Sequence, residues 1–388
     1  MNNATHQQNS SNFDVDNPWT IASVVIGSGI ALLALLTGPL IVSEYIVELG
    51  VSESRAGIIM SVEMAGFTLG SVILIGLLGK DWQKITTVSL IFMVIGNGLF
   101  LFITNQSAFI IFRFIAGIGE GLLMAMTIQV IALMRNPDRI YGLWTAGQLV
   151  FGLLGLLFFP AVIAIGGLKA VFMLWAFLAL ILLITVKYYP LARTANNVKI
   201  NSITSTRKFI FGMLGLLGLV IYYSGQAGVW MYMDRLGFSW NLDQETVLNT
   251  LFGGLIAGIA GSGVAVLLGN TLGRALPLTI SMIFSAVSIV LLIMFSGAKI
   301  FVFAVCLFNF GWYLFLPYIS AVIAETDDNG KLLAGLAVAF PASLAIGPAV
   351  SAMLISNVDN FIPVLIFGLV SVPLGLVCIF PASLLKSA

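Results

Sequence analysis

Runs of about twenty apolar residues, separated by short polar seams, recur along the whole chain, and no other feature restricts its fold so severely. Crossing a hydrocarbon layer of about 30 Å at 1.5 Å per residue takes roughly 20 helical residues, and a helix satisfies its own backbone where water is absent. Twelve such runs are expected, at 19–42, 55–79, 85–104, 107–134, 140–165, 168–189, 209–233, 246–269, 276–297, 299–324, 331–356 and 361–384. Of the 388 residues 60% are hydrophobic and 9% charged. A single soluble core stops growing at about 250–300 residues, so the surplus apolar surface must face lipid. The fold class that follows is an all-α membrane protein of twelve transmembrane helices.

The net charge of +1 gives no reason to expect nucleic acid as a partner. Cys306 and Cys378 lie inside apolar runs and read as small core residues. Residues 1–18 are rich in Asn, Gln and Ser, carry Asp14 and Asp16 and lack Lys and Arg, so a disordered, uncleaved tail is expected. The stretch 191–208, with Arg193, Lys199, Arg207 and Lys208, separates six runs in 19–190 from six in 209–388. With the tail and every second loop on one side, twelve Lys and Arg collect there. Only Arg55, Lys169, Arg235 and Lys299 lie opposite, and Arg113 sits inside a run. The positive-inside rule then places both termini, and the 191–208 linker, in the cytoplasm of a cell whose inner or plasma membrane holds the chain. A spacing of 188 positions between Pro160 and Pro348, and of 190 between Lys80 and Asn270, points to duplication and two pseudo-symmetric bundles.

Several motifs sit at the seams and in the runs. Gly76-Leu77-Leu78-Gly79-Lys80-Asp81-Trp82-Gln83-Lys84 and Asn270-Thr271-Leu272-Gly273-Arg274 occupy corresponding turns, where glycine permits a tight reversal and basic side chains meet helix ends. The fourth run carries Arg113-Phe114-Ile115-Ala116-Gly117-Ile118-Gly119-Glu120-Gly121. Arg113, Gly117, Glu120 and Gly121 share one helical stripe, combining two ionisable groups with small residues that admit a close neighbour. The fifth run has Ala146, Gly155, Phe159 and Pro160, and the eleventh has Ala334, Ser343, Gly347, Pro348, Ser351 and Ala352. Such stripes suit helices that rock against each other and equally suit plain tight packing. With six plus six runs and a basic linker, the whole chain resembles the major facilitator superfamily. The Arg113–Gly121 segment is also similar to Spinster-like lipid transporters, although the first run has no acidic residue.

Ionisable groups inside spans are costly, by about 2.5–3.5 kcal/mol on insertion scales, and face a cavity or a partner. Glu63, Arg113 and Glu120 are the three well inside a run. From the rise per residue, Glu63 and Arg113 are about 12 and 9 Å deep from the same side, close enough to pair, with Glu120 two turns below Arg113. Burial disfavours an ionised carboxylate and a nearby Arg favours it, so a movement changing that distance can load or release a proton. A fixed ion pair bracing the second and fourth helices is the competing reading.

The second half offers aromatic and amide groups instead: Tyr222, Tyr223, Gln226 and Trp230 in the seventh run, Asn309, Trp312 and Tyr313 in the tenth. The family resemblance implies that helices one, four, seven and ten line a central cavity, which makes these residues a substrate wall; interfacial aromatics are the alternative. The resemblance implies a secondary transporter working by alternating access, and the charge pattern suggests coupling to protons. The expected cargo is a small amphipathic or aromatic molecule, with a lipid-like one as alternative. Import and export stay open, as does a receptor built on the same scaffold. The sole histidine is His6, and no Walker loop, metal-spaced cluster or nucleophile elbow occurs, so no enzymatic activity and no cofactor are expected. A small-molecule substrate, protons and the lipid bilayer are the expected partners of a chain working as a monomer. Gly117, Gly121, Pro160, Gly273, Arg274, Gly347 and Pro348 are the expected packing or gating positions.

Overall fold

A computed structural model describes residues 13–77, 80–99, 106–135, 137–191, 206–327, 331–356 and 360–384, and no strand occurs among them. Most of the expected disordered tail, most of the expected linker (192–205), Gly79 and Lys386 lie outside the described residues. In the first half α1 (Pro18–Ala31), α2 (Leu33–Leu36) and α3 (Gly38–Leu49) form one column interrupted at Leu32 and Thr37. It runs to Leu49, seven residues past the apolar run that marks it, because Tyr45 is buried in the core even though glutamates flank it. Then follow α4 (Glu53–Leu77), α5 (Trp82–Gly98), α6 (Gln106–Ile131) and α7 (Pro137–Leu182), which ends in a 3-10 turn at Leu183–Tyr188. Non-helical dihedrals at Gly166 and Gly167, the latter with φ 64°, break α7 into two arms at the seam expected between the fifth and sixth runs.

The second half comprises α8 (Thr206–Met231), α9 (Met233–Ser239), α10 (Gln244–Leu268), α11 (Ala275–Met294), α12 (Ala298–Thr326), α13 (Lys331–Ile355) and α14 (Ile362–Ser383). Nine helices among the described residues are long and apolar enough to cross a membrane. With the two arms of α7, the α1–α3 column and the shorter α5, the arrangement is consistent with twelve crossings. Polar residues at the seams fix where helices begin. Asn17 accepts a hydrogen bond from the Trp19 N–H with Pro18 at the first helical position, Asp81 caps α5 through the Lys84 N–H, and Asp243 caps α10 through that of Thr246.

Where lipid is the solvent, apolar burial cannot drive helices together, so close packing and buried polar bonds must do so. α4 and α6 achieve this reciprocally. A Cβ at Gly66 or Gly70 would overlap the carbonyl oxygens of Phe114 or Ile118, and one at Gly117 or Gly121 would overlap those of Glu63 or Phe67. In the second half α8 meets α14 through Gly218, Gly225, Gly368 and Gly375, and α10 meets α12 through Gly254, Gly258 and Gly261.

The halves join chiefly through α4 against α13 and α7 against α10. Hydrogen bonds that cross between them among the described residues run from Trp230 Nε1 to the Leu35 carbonyl (3.2 Å), Tyr232 Oη to the Glu53 carbonyl (3.0 Å), Arg235 Nη2 to Glu53 Oε1 (3.1 Å) and Ser61 Oγ to the Ala345 carbonyl (2.6 Å). All lie toward the face opposite the chain ends. The other face is organised within each half. Arg135 pairs with Asp16, Gln83 Nε2 donates to the Tyr189 carbonyl, and Arg274 binds both Glu325 and the Ala321 carbonyl.

Gly117→Ala should therefore lower thermal stability in lipid or mild detergent by about 1–3 kcal/mol, the usual cost of overpacking. Gly76→Ala, where a Cβ meets nothing within 4 Å, should leave it unchanged or raise it slightly. Thermal unfolding of the two variants side by side checks this.

Candidate functional site

The α4–α6 contact brings together two of the three charges expected inside spans. Arg113, on α6, is 1% exposed and Glu63, on α4, is 0% exposed. Arg113 Nε donates to Glu63 Oε2 at 3.1 Å, its Nη2 pairs with Glu63 Oε1, and its Nη1 donates to Asn97 Oδ1 on α5 at 2.7 Å. The Asn97 amide in turn donates to the Met93 carbonyl at 2.8 Å, which fixes which end of the amide faces the guanidinium. The guanidinium carbon lies 4.5 Å from the Phe172 ring centroid and 5.6 Å from that of Trp175, both on the second arm of α7. Tyr45 meets Phe109 edge-on at 5.5 Å and stacks on Phe172 at 6.4 Å, closing the pocket from α3. A bidentate carboxylate, an amide and two aromatic faces thus replace the guanidinium's water.

Glu120 stands on the same α6 face, two turns or about 10 Å beyond Arg113. It is 3% exposed, and its Oε2 has no hydrogen-bond partner among the described residues. Two buried carboxylates thus share this interior with one cation, which among the described residues is bonded to Glu63 and Asn97. Such a cluster is electrically neutral only while it holds one proton, and a net charge within a low-dielectric bundle is strongly disfavoured.

In the second half the seventh-run stripe divides among three neighbours. Tyr222 Oη is 2.7 Å from Ser285 Oγ on α11, and its ring centroid is 4.4 Å from that of Phe315 on α12. Gln226 Nε2 donates to the Gly368 carbonyl (3.2 Å) and Ser371 Oγ (3.3 Å) on α14. Trp230 faces the first half through Leu35. Tyr223 joins Trp312, Phe315 and Phe340 in an aromatic cluster between α8, α12 and α13, with centroids 5.1–5.5 Å apart. Asn309 donates to the Val305 carbonyl and borders Gly254, while the Tyr313 ring covers Gly258, so these two are turned to α10.

Among the expected packing positions, Gly347 on α13 abuts Ser224 and Gly228 of α8 and is followed by Pro348 within the same helix. Gly273 adopts φ 67° in the turn that lets Arg274 reach the end of α12. Pro160 lines a cleft of about 580 Å³ between α7 and α10, together with Leu156, Leu157, Glu245, Leu248 and Phe252.

The sequence reading did not single out Asn97, Phe172 or Trp175. A lone amide inside an apolar run was the available signal for Asn97; the aromatic pair gives none, since Phe and Trp are frequent throughout.

The sequence matches the Major Facilitator Superfamily over residues 20–326. The chain belongs to that superfamily. Its members are membrane transporters, so this chain is an integral membrane protein that moves a small molecule across the bilayer in which it sits. No curated protein shows a significant match to it. For a transporter of the superfamily, the Arg113 cluster stands out because the other charged side chains among the described residues sit at helix ends and seams.

Removing one partner of a buried pair costs about 3–5 kcal/mol, whereas replacing both with apolar side chains of similar size can be nearly neutral. Glu63→Leu and Arg113→Met should each destabilise the protein by about that amount, and the double variant by clearly less than their sum. Chemical or thermal unfolding of the four proteins in one lipid composition measures the coupling.

Proposed function

We propose that the protein is a proton-coupled secondary transporter in which Glu120 carries the exchangeable proton, Glu63 and Arg113 form the fixed counter-charge, and a small amphipathic or aromatic organic molecule is the cargo. The observation that carries this reading is the imbalance of two buried carboxylates around one guanidinium, with an unpartnered oxygen on Glu120. Glu63 is held by both its oxygens, with Arg113 further locked by Asn97 and two rings. That geometry suits a brace between α4 and α6. Glu120 has no such restraint and is the group free to gain and lose a proton.

Alternating access is supported by the placement of the crossing hydrogen bonds. They close the half away from the chain ends, and α4/α13 and α7/α10 are two antiparallel seams able to part and re-form. With the positive-inside bias that face is external, both termini and the 191–208 linker are cytoplasmic, and one chain suffices as the working unit. Trp312 and Trp230, the latter bridging the halves, offer aromatic faces for a ring-bearing substrate, while Tyr222 and Gln226 set the walls behind them. The cleft beside Pro160, apolar with Gln244, Glu245 and Asn249 among its lining, favours a lipid-like amphiphile as the second reading.

Purified protein in liposomes, oriented both ways and offered a panel of aromatic acids, amphipathic amines and lipids under an imposed pH gradient, tests the assignment. The wild type should accumulate at least one member, and a protonophore should abolish that accumulation. Glu120→Gln should still bind and equilibrate the same compound without concentrating it. Proton dependence unchanged in both Glu120→Gln and Glu63→Gln sinks the coupling role, and binding without any movement favours a receptor.

A further inference from the structure

A further buried carboxylate lies in the second half, apart from Glu63, Arg113 and Glu120. Asp234, in the short helix α9, is 1% exposed, and its Oδ2 has no hydrogen-bond partner among the described residues. It sits where α9 of the second half meets α3 of the first. The α3 groups that act on its carboxyl are the Ser43 hydroxyl and the Glu44 carboxylate. The adjacent cation, Arg235, is already committed to Glu53 of α4 through both Nε (3.3 Å) and Nη2 (3.1 Å). From α10 the contact with α9 is made by Val247 against Gly237, while Asp243 and Glu245 at the start of α10 are exposed. Tyr232, just before α9, donates to the Glu53 carbonyl. The carboxyl is therefore enclosed by the closure of the two halves and has no cation of its own there.

We propose that Asp234 is a proton-binding latch, closing the face opposite the termini when protonated and releasing it when ionised. The inference rests on the alternating-access reading, which makes that face the external gate. An ionised Asp234 inside this seam would stand beside Glu44 without water or a free cation, whereas parting α3 from α9 hydrates it. A protonated Asp234 can stay buried and donate a hydrogen bond.

Burial pushes this carboxyl up to about 7, partly offset by Ser43 and Arg235 and reinforced by Glu44. Glu44 is itself pushed upward by its own burial and then by Glu48. The closed form thus binds the proton more tightly than a hydrated, open form with an ordinary carboxyl. Acid favours closure. The closed-to-open ratio falls by up to about tenfold per pH unit from the ordinary carboxylate range up to about 7, and is flat above it.

Spin labels placed at Ser52→Cys and Gln244→Cys in the full-length protein, with Cys306 and Cys378 replaced by Ala, report the opening by pulsed electron resonance in lipid. No substrate is needed, so the result is independent of whether Glu120 couples transport. The short-distance population should dominate at pH 5 and lose ground to a longer one by pH 8. Asp234→Asn should hold the short distance at both. Ser43→Ala should move the midpoint to higher pH and Glu44→Gln to lower pH, opposite shifts that a merely structural contact would not produce. A wild-type pH response retained in Asp234→Asn, or none in the parent, overturns the proposal.

Discussion

The reciprocal glycine contact between α4 and α6 is the constraint on which the rest of the first half depends. Only because Gly66, Gly70, Gly117 and Gly121 bring the two backbones together can Glu63 reach Arg113 with both oxygens. Once formed, that pair demands a surrounding shell. Asn97 takes a third guanidinium donor, Phe172 and Trp175 cover its faces, and Tyr45 seals the pocket. Helices α3, α4, α5, α6 and α7 are thereby tied to one cation, in a solvent that supplies no hydrophobic force between helices.

The second half is held differently. Ionisable groups are confined to its seams and ends, and the interior is joined by small-residue contacts, Tyr222 with Ser285, Gln226 with the α14 backbone, and the ring cluster around Tyr223. A bundle braced by charge thus faces one braced by aromatics and amides. The two meet in hydrogen bonds concentrated on a single face, so a change in charge at that seam acts on the contact between the halves and not on either interior.

Much of this was legible in the sequence because hydropathy reports the solvent directly. The seams at Lys80–Lys84 and Arg274, and the break at Gly166–Gly167, fall where the apolar runs end. The rise per residue also places Glu63 and Arg113 at matching depths. What the sequence leaves undetermined is which face of a helix meets which neighbour. α4 is apolar nearly all round, so periodicity does not separate interior from lipid, and Asn97 carries no mark of its partner. The stripe Tyr222, Gln226 and Trp230 shows the same limit. Each four-residue step turns about 40° around the helix, so three residues that look aligned reach α11, α14 and α2 in succession. Asp234 follows the seventh run and by sequence reads as a solvated end, whereas the first half covers it.

The central claim is that the buried cluster of two carboxylates and one guanidinium holds a proton. Infrared difference spectroscopy of the purified protein in lipid at neutral pH tests it most directly, by the carbonyl band of a protonated, buried carboxylic acid. The account predicts a component of that band that is lost in Glu120→Gln and kept in Asp234→Asn, separate from any intensity that Asp234 itself adds. A spectrum in which Glu120→Gln removes no protonated-acid intensity would mean that Glu120 holds no proton, and would contradict the account.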